Sequence, residues 1–410
     1  MPVSEDAEAE ICSRLKRNQY IEQKSSMIKK DVQFDVLVIG AGINGLSAAY
    51  HLSHQKGLKI GVVEQFHSGH AFGSSHGHSR ITRSIYANPT YIQLIQRARY
   101  EEWPSLEKAV GKKFIHSNPG CFFGRGKSFE KYLGEIGKFE LDIEILEASV
   151  ARRVFPQFQF QNIEAVICDH TAGVIAAQEA VQGLIKSIAS RGVNVEEETK
   201  VLQIKRHCDP MQIITDRGVV LTKRLVITAG AWIAQLIPEL GSLAVPIRQT
   251  VGYFKLCGPK NLYQMGRFPT WSFIGEGENQ VFYGLPEFGC EGIKVAQHIT
   301  SGKIDNPDAK VSKGDAVQIQ ILEKFIKENF VQPIDKLITT ETCLYTNAPQ
   351  EGFILDLLPD DERIAVGSAC SGHGFKFAPL TGRILSDLVL HGKTAISEFE
   401  EARKMFSIQR

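Results

Sequence analysis

The chain has 410 residues, 43% hydrophobic and 23% charged, an ordinary globular mixture that excludes wholesale disorder or a fibrous repeat. That length is enough for two or three domains with a sizeable core. Lys and Arg number 47 against 46 Asp and Glu, a net charge of +1, too small to draw in a polyanion, so no nucleic-acid partner is expected.

Residues 1–33 alternate acidic clusters (Glu5, Asp6, Glu8, Glu10) with basic ones (Lys16, Arg17, Lys24, Lys29, Lys30) and read as a mobile tail. The acidic start argues against a mitochondrial presequence, and the stretch does not read as a signal peptide. The eight cysteines are scattered without a CxxC pair, so a reduced compartment is expected, with neither disulfides nor zinc.

Order is expected from Phe34. The nearly unbroken apolar run Phe34 to Ile39 suits a parallel strand buried on both faces. Gly40-Ala41-Gly42-Ile43-Asn44-Gly45 follows at once, and Leu46, Ala49 and Leu52 then share one helix face, with Gly57 expected as the C-terminal cap. A second strand, Leu58 to Val63, ends in Glu64. In this order each part has a physical task. Gly40 allows the tight turn, Gly42 lets backbone approach a pyrophosphate, and Gly45 permits close helix–strand packing. The helix N-terminus offers amide donors, and Glu64 can accept from ribose hydroxyls. A Rossmann-like dinucleotide site is therefore expected.

A nicotinamide enzyme would continue the strand–helix alternation after Glu64. Here Gly69 to Arg80 is a glycine-, serine- and histidine-rich stretch with no helical pattern, suited to lying along a polar ring system such as a flavin. Arg80-Ile81-Thr82-Arg83 follows, and Asn88-Pro89 leads into a helix read as opened by the capping box Thr90-x-x-Gln93. His76-Gly77-His78 lacks a third ligand at suitable spacing, so no metal is expected. Further on, the longest uncharged apolar stretch, Leu225 to Pro238, is shorter than a bilayer span and reads as core, so no membrane span is expected. Lys294 and His298, four apart along an expected strand, should share a face. A glycine-rich turn then precedes a helix with Leu380, Ile384, Leu385 and Leu388 as its buried stripe.

Several of these segments carry a resemblance. Gly73-Ser74-Ser75-His76-Gly77-x-Ser79-Arg80-Ile81-x-Arg83 resembles the signature of the sarcosine oxidase and L-pipecolate oxidase family of flavin amine oxidases, which also includes N-methyltryptophan oxidase. Four later segments agree in order: Thr228 to Trp232, Tyr283-Gly284 leading to Gly292-Ile293-Lys294 and His298, Cys343-x-Tyr345-Thr346, and Ser371 to Lys376. The likeness runs from about Phe34 to Lys393. His78 and Ser79 stand where related sequences vary.

The resemblance implies FAD joined by a thioether from its 8α position to Cys343, whose thiol nearby cations should acidify. It implies Arg83 and Lys376 as a clamp on the substrate carboxylate. Lys294 is implied as the cation for oxygen, Arg80 as a residue beside the flavin, and Tyr283 and His298 as lining of the substrate cavity. Gly40, Gly42, Gly45, Glu64, Ser75, His76, Ser79, Val201, Gly230, Trp232 and Gly374 complete the cofactor contacts. Amides of Gly374, Phe375 and Lys376 at a positive helix end would stabilise charge on the reduced ring.

The implied architecture is α/β plus α+β, a Rossmann-like FAD-binding domain (34–118, 172–244 and 342–395) interleaved with a mostly antiparallel-sheet substrate domain (119–171 and 245–341), followed by a C-terminal tail (396–410). The implied activity is oxidation of small secondary or N-methyl amino acids, with molecular oxygen as acceptor and hydrogen peroxide as product, by a monomer. Alternatives are a flavin dehydrogenase on the same fold and a non-catalytic flavin-binding protein. Animal members of the family commonly end in a Ser-Lys-Leu-type tripeptide; this chain ends Ser407-Ile408-Gln409-Arg410, so a peroxisomal location is expected only from peroxide chemistry, with the cytoplasm as the other choice.

Overall fold

The computed structural model describes residues 32–277, 279–309 and 314–410. All but the last two residues of the expected N-terminal tail lie outside the described residues.

The run Val32–Ile39 is a strand, starting two residues before Phe34, at the middle of five parallel strands. In spatial order these are Asp361–Ser368, Gly218–Ile227, Val32–Ile39, Ile60–Val63 and Asn194–Glu196. Its alternate residues serve two cores, which explains why the run carries no polar alternation. Val36 and Val38 pack under the helices Ile43–Leu52, Ala177–Ser190 and Ala378–His391. Leu37 and Ile39 pack against Met211, Ile213, Ile233 and Ile354 on the other side. With both faces dry, only apolar side chains suit the middle of the strand.

A second eight-stranded sheet stands over the first. Val245–Leu256 pairs antiparallel with Ile334–Asn347 on one side and with Ile293–His298 on the other. The sheet continues through Val281–Leu285 and Thr270–Ile274 to Gly120–Gly124, Ala165–Asp169 and Ile143–Leu146, and the one parallel step joins Thr270–Ile274 to Gly120–Gly124. One face packs on the helix Ala316–Asn329 through Trp271, Phe282 and Phe325, with the Trp271 and Phe325 rings stacked at 5.6 Å. Ser79–Thr82, Gly173–Ala176 and Ile115–Ser117 form a small third sheet.

Four local expectations need correction. The helix after the glycine turn ends at Leu52 with Ser53 as its cap, and Gly57, at φ +81°, serves the next turn. The helix Pro89–Arg97 is capped by Asn88, whose side chain accepts from the Thr90 and Tyr91 amides, because Pro89 already occupies the first helical position. A boundary at residue 342 would cut the strand Ile334–Asn347, which belongs entirely to the second sheet. Residues 396–410 are no free tail: Ile396, Phe399 and Phe406 are buried, and Arg410 donates to the Phe353 carbonyl at 3.0 Å. Among the described residues, no helix is long and apolar enough to cross a membrane.

Candidate active site

The carboxyl ends of the parallel strands converge on one large cavity. Ile39, Val63, Thr228 and Ser368 reach its wall, and its volume is about 880 Å³. Ligands favour this end of such a sheet because the strands stop there and loops diverge. Gly40 has φ +97°, and a Cβ on it would lie 2.6 Å from the Thr228 carbonyl oxygen, so only glycine fits. Gly45 sits behind the turn, where a Cβ would come 2.0 Å from the Gly40 carbonyl. Gly42 lies on the wall, with Ser75 Oγ 3.3 Å from where its Cβ would be. Ser75 Oγ also accepts from the Ile43 amide at 3.0 Å. Glu64 takes the Ala41 amide at 2.8 Å and the Phe66 amide at 3.0 Å, which ties the glycine turn to the segment that follows. Burial pushes its carboxyl up, against the pull of those amides. Val201, Gly230 and Trp232 complete this part of the wall, and Trp232 Nε1 donates to Asp308 at 2.7 Å.

The second sheet contributes a face rather than strand ends. Cross-strand pairing sets Cys343 opposite Gln249, Glu341 opposite Val251, Lys294 opposite Tyr253, and Tyr283 opposite Ala296. Because side chains alternate, residues two apart along each strand join the same surface. Ser272, Tyr283, Lys294, His298, Glu341, Cys343 and Tyr345 accordingly line the cavity, while Trp271, Phe273, Phe282 and Val295 turn to the core behind. Lys294 and His298 share this face, as their spacing predicts.

Six Lys and Arg residues line the cavity: Lys131, Lys200 and the four expected from the sequence. Arg80 donates to the carbonyls of Ser79 (2.8 Å), Ser74 (2.9 Å) and His76 (2.6 Å), which fixes the irregular 69–78 segment around it. Arg83 donates to the Ile85 carbonyl at 3.0 Å and lies 4.7 Å from the Tyr86 ring centre. Lys376 donates to the His373 carbonyl at 2.9 Å; burial, then Arg83 and Arg80, push its ammonium pKa well down. Lys294 donates to the Ser79 carbonyl at 3.3 Å, and burial, with Arg80 next, pushes it down to about 7 while Glu341 pulls it back up. Its charge is therefore titratable near neutrality rather than permanent.

Cys343 behaves unlike the sequence expectation. Burial pushes its thiol up to about 11, and the opposing pull of Arg80 and Lys294 does not overcome it. The amide expectation also changes in part. Gly374 to Phe377 form a 3₁₀ turn before the helix Ala378–His391, and the Gly374 amide is committed to the Cys370 carbonyl at 2.8 Å.

Every other site residue expected from the sequence lines the cavity, Gly45 alone standing behind it. His76 is half-buried, desolvation pushes it down to about 4, and its buried Nε2 has no hydrogen-bond partner among the described residues. Three groups at the site were given no role from the sequence. Tyr345 bonds Tyr283 hydroxyl to hydroxyl at 2.8 Å, and its place two residues beyond Cys343 in a strand was the available signal. Glu351 meets His298 Nε2 at 2.8 Å from a residue with φ +55°, for which the local sequence carries no signal. The third is Glu341, two residues before Cys343 in the strand Ile334–Asn347 and on the same face.

A bare glycine turn, an acid at the end of the second strand and an orphaned donor or acceptor on His76 fit a bound dinucleotide with a polar ring system, and the class of protein is a flavin-dependent oxidoreductase. The chain belongs to the FAD dependent oxidoreductase family, which matches residues 35–388. It is 32% identical over 394 residues to "Monomeric sarcosine oxidase" from Arthrobacter sp. (strain TE1826), covering 93% of this chain and 97% of that one. It is also 32% identical over 375 residues to "Peroxisomal sarcosine oxidase" of Homo sapiens, covering 88% and 93%. Among solved structures it resembles NikD, an amino acid oxidase essential for nikkomycin biosynthesis, with a TM-score of 0.79 at 21% identity over 92% of this chain and 97% of that one.

Proposed function

We propose that this enzyme is an oxidase of small secondary or N-methyl amino acids, of the sarcosine or pipecolate kind, which passes the electrons to molecular oxygen and releases hydrogen peroxide. The observation that carries the reading is a group of basic side chains lining one cavity, Arg83 and Lys376 together with Arg80 and Lys294. Bound FAD supplies the acceptor for a hydride equivalent from the carbon next to the substrate nitrogen. The protein's share is to position and polarise. Arg83, held by Ile85 and Tyr86, presents a planar fork to a carboxylate, and Lys376 adds a second nitrogen whose protonation a bound carboxylate would favour. Tyr283 and His298 line the same cavity and would shape the substrate's place in it. Lys294, when protonated, offers positive charge to the anion formed as oxygen is reduced. The product imine then hydrolyses to an aldehyde or a ring-opened product.

In this reading the parallel sheet and its helices bind FAD and the antiparallel sheet binds substrate. FAD is tethered through Cys343, and Arg80 and Lys294 are the charges that stabilise the thiolate once its proton leaves. The reading also makes the enzyme a monomer in a peroxisome or the cytoplasm, for which gel filtration and cell fractionation are the checks. Anaerobic addition of sarcosine, other N-methyl amino acids, pipecolate and proline to the yellow protein should bleach the flavin band with at least one of them. A band untouched by all of them overturns the substrate class. Acid precipitation should leave the colour with the protein, and Cys343→Ser should release it to the supernatant.

A further inference from the structure

Arg80 and Lys294 donate to the same acceptor, the Ser79 carbonyl, so two like charges converge inside one cavity wall. An uncompensated pair of that kind is costly. Three carboxylates line the cavity, and they lie in different places: Glu64 beside the glycine turn, Glu351 on His298, and Glu341 on the Lys294 face. Glu341 Oε2 accepts from the Tyr253 hydroxyl at 3.0 Å, and Lys294 Nζ lies 5.8 Å from the centre of that same tyrosine ring, its partner in the strand register. Gly77, at φ +86°, marks the gap on the other side. A Cβ there would lie 3.2 Å from Glu341 Oε2 and 3.5 Å from Arg80 Nη1, so acid and guanidinium flank one bare glycine.

We propose that Glu341 is the counter-ion of the Arg80–Lys294 pair, held in place by Tyr253, and that it is a positioning residue which keeps Lys294 charged beside the flavin site. The consequence for oxygen rests on the function proposed above, whereas the pairing itself stands on geometry. The groups facing this acid are Tyr253 from the neighbouring strand, Lys294 from the strand beyond it, Cys290 from the loop before Lys294, His76 and Arg80 from the segment opposite, and Cys343 on its own strand.

The test uses holoenzyme labelled with ¹³Cε-lysine, with the Lys294 resonance identified by its loss in Lys294→Met. In Glu341→Gln the midpoint of that resonance should fall by about one pH unit. The pH above which fast reoxidation is lost should fall with it. Tyr253→Phe should move both in the same direction by less, and it carries the test if Glu341→Gln does not fold. An unchanged Lys294 midpoint overturns the counter-ion assignment. If the midpoint moves while Lys294→Met reoxidises as fast as the parent, the pairing stands and the oxygen role of Lys294 falls instead.

Discussion

The two large sheets build the same cavity in opposite ways. The parallel sheet offers its ends: Gly40, Glu64 and Thr228 each follow directly on the last residue of a strand, and contact is made through turns and backbone. The antiparallel sheet offers its face, with Tyr283, Lys294 and His298 drawn from two consecutive strands and Glu341 and Cys343 from a distant one. Backbone recognition tolerates no added atom, whereas a face of side chains can be retuned one group at a time. Damage to the first should remove the cofactor altogether, and damage to the second should alter one step of the reaction.

The largest effect is expected at Gly45→Val, whose side chain would drive into the Gly40 carbonyl. Flavin-to-protein absorbance should fall to background, with a loss of about 3 kcal/mol in denaturant unfolding. Normal flavin content would break the comparison at its root. Next comes Lys294→Met, for which reoxidation should slow by about 10²–10³-fold while anaerobic reduction changes far less. Equal slowing of both steps in stopped flow would mean that the face does not divide its duties.

Arg83→Lys keeps the charge but loses the fork, and kcat/KM for a carboxylate substrate should drop by roughly 10–100-fold with flavin content unchanged. A smaller effect is expected from pH alone. Lys294 is pushed down to about 7 by burial and Arg80, so it is protonated below that pH and neutral above it. The reoxidation rate should therefore fall as pH rises through that value, and Lys294→Met should flatten the profile. The smallest effect marks the far end of the parallel sheet. Lys223 and Asp35 form an exposed ion pair at 2.8 Å, and Lys223→Ala should cost less than about 1 kcal/mol with activity intact.

How much of this was legible differs between the sheets for the same reason. The glycine turn is contiguous, and every requirement on Gly40, Gly42, Gly45 and Glu64 arises within one strand–helix–strand unit, so order along the chain was enough. The cap at Asn88 was equally local, and the Asn-Pro pair written there outranks the Thr90 pattern. On the antiparallel sheet, resemblance supplied Lys294, Tyr283 and Cys343 but left out Glu341 and Glu351, whose partners Tyr253 and His298 come from other strands.

By itself the sequence determined that a doubly buried strand runs into a phosphate-sized turn, that an acid closes the unit, and that Lys294 and His298 share a face, because those features depend on near neighbours and a fixed backbone period. Only the tertiary structure decided which residues stand across from one another and how charged they are. Burial outweighs the nearby cations at Cys343, and Lys294 is poised near neutrality, because desolvation and cross-strand register are set by segments that meet only when the whole chain has folded.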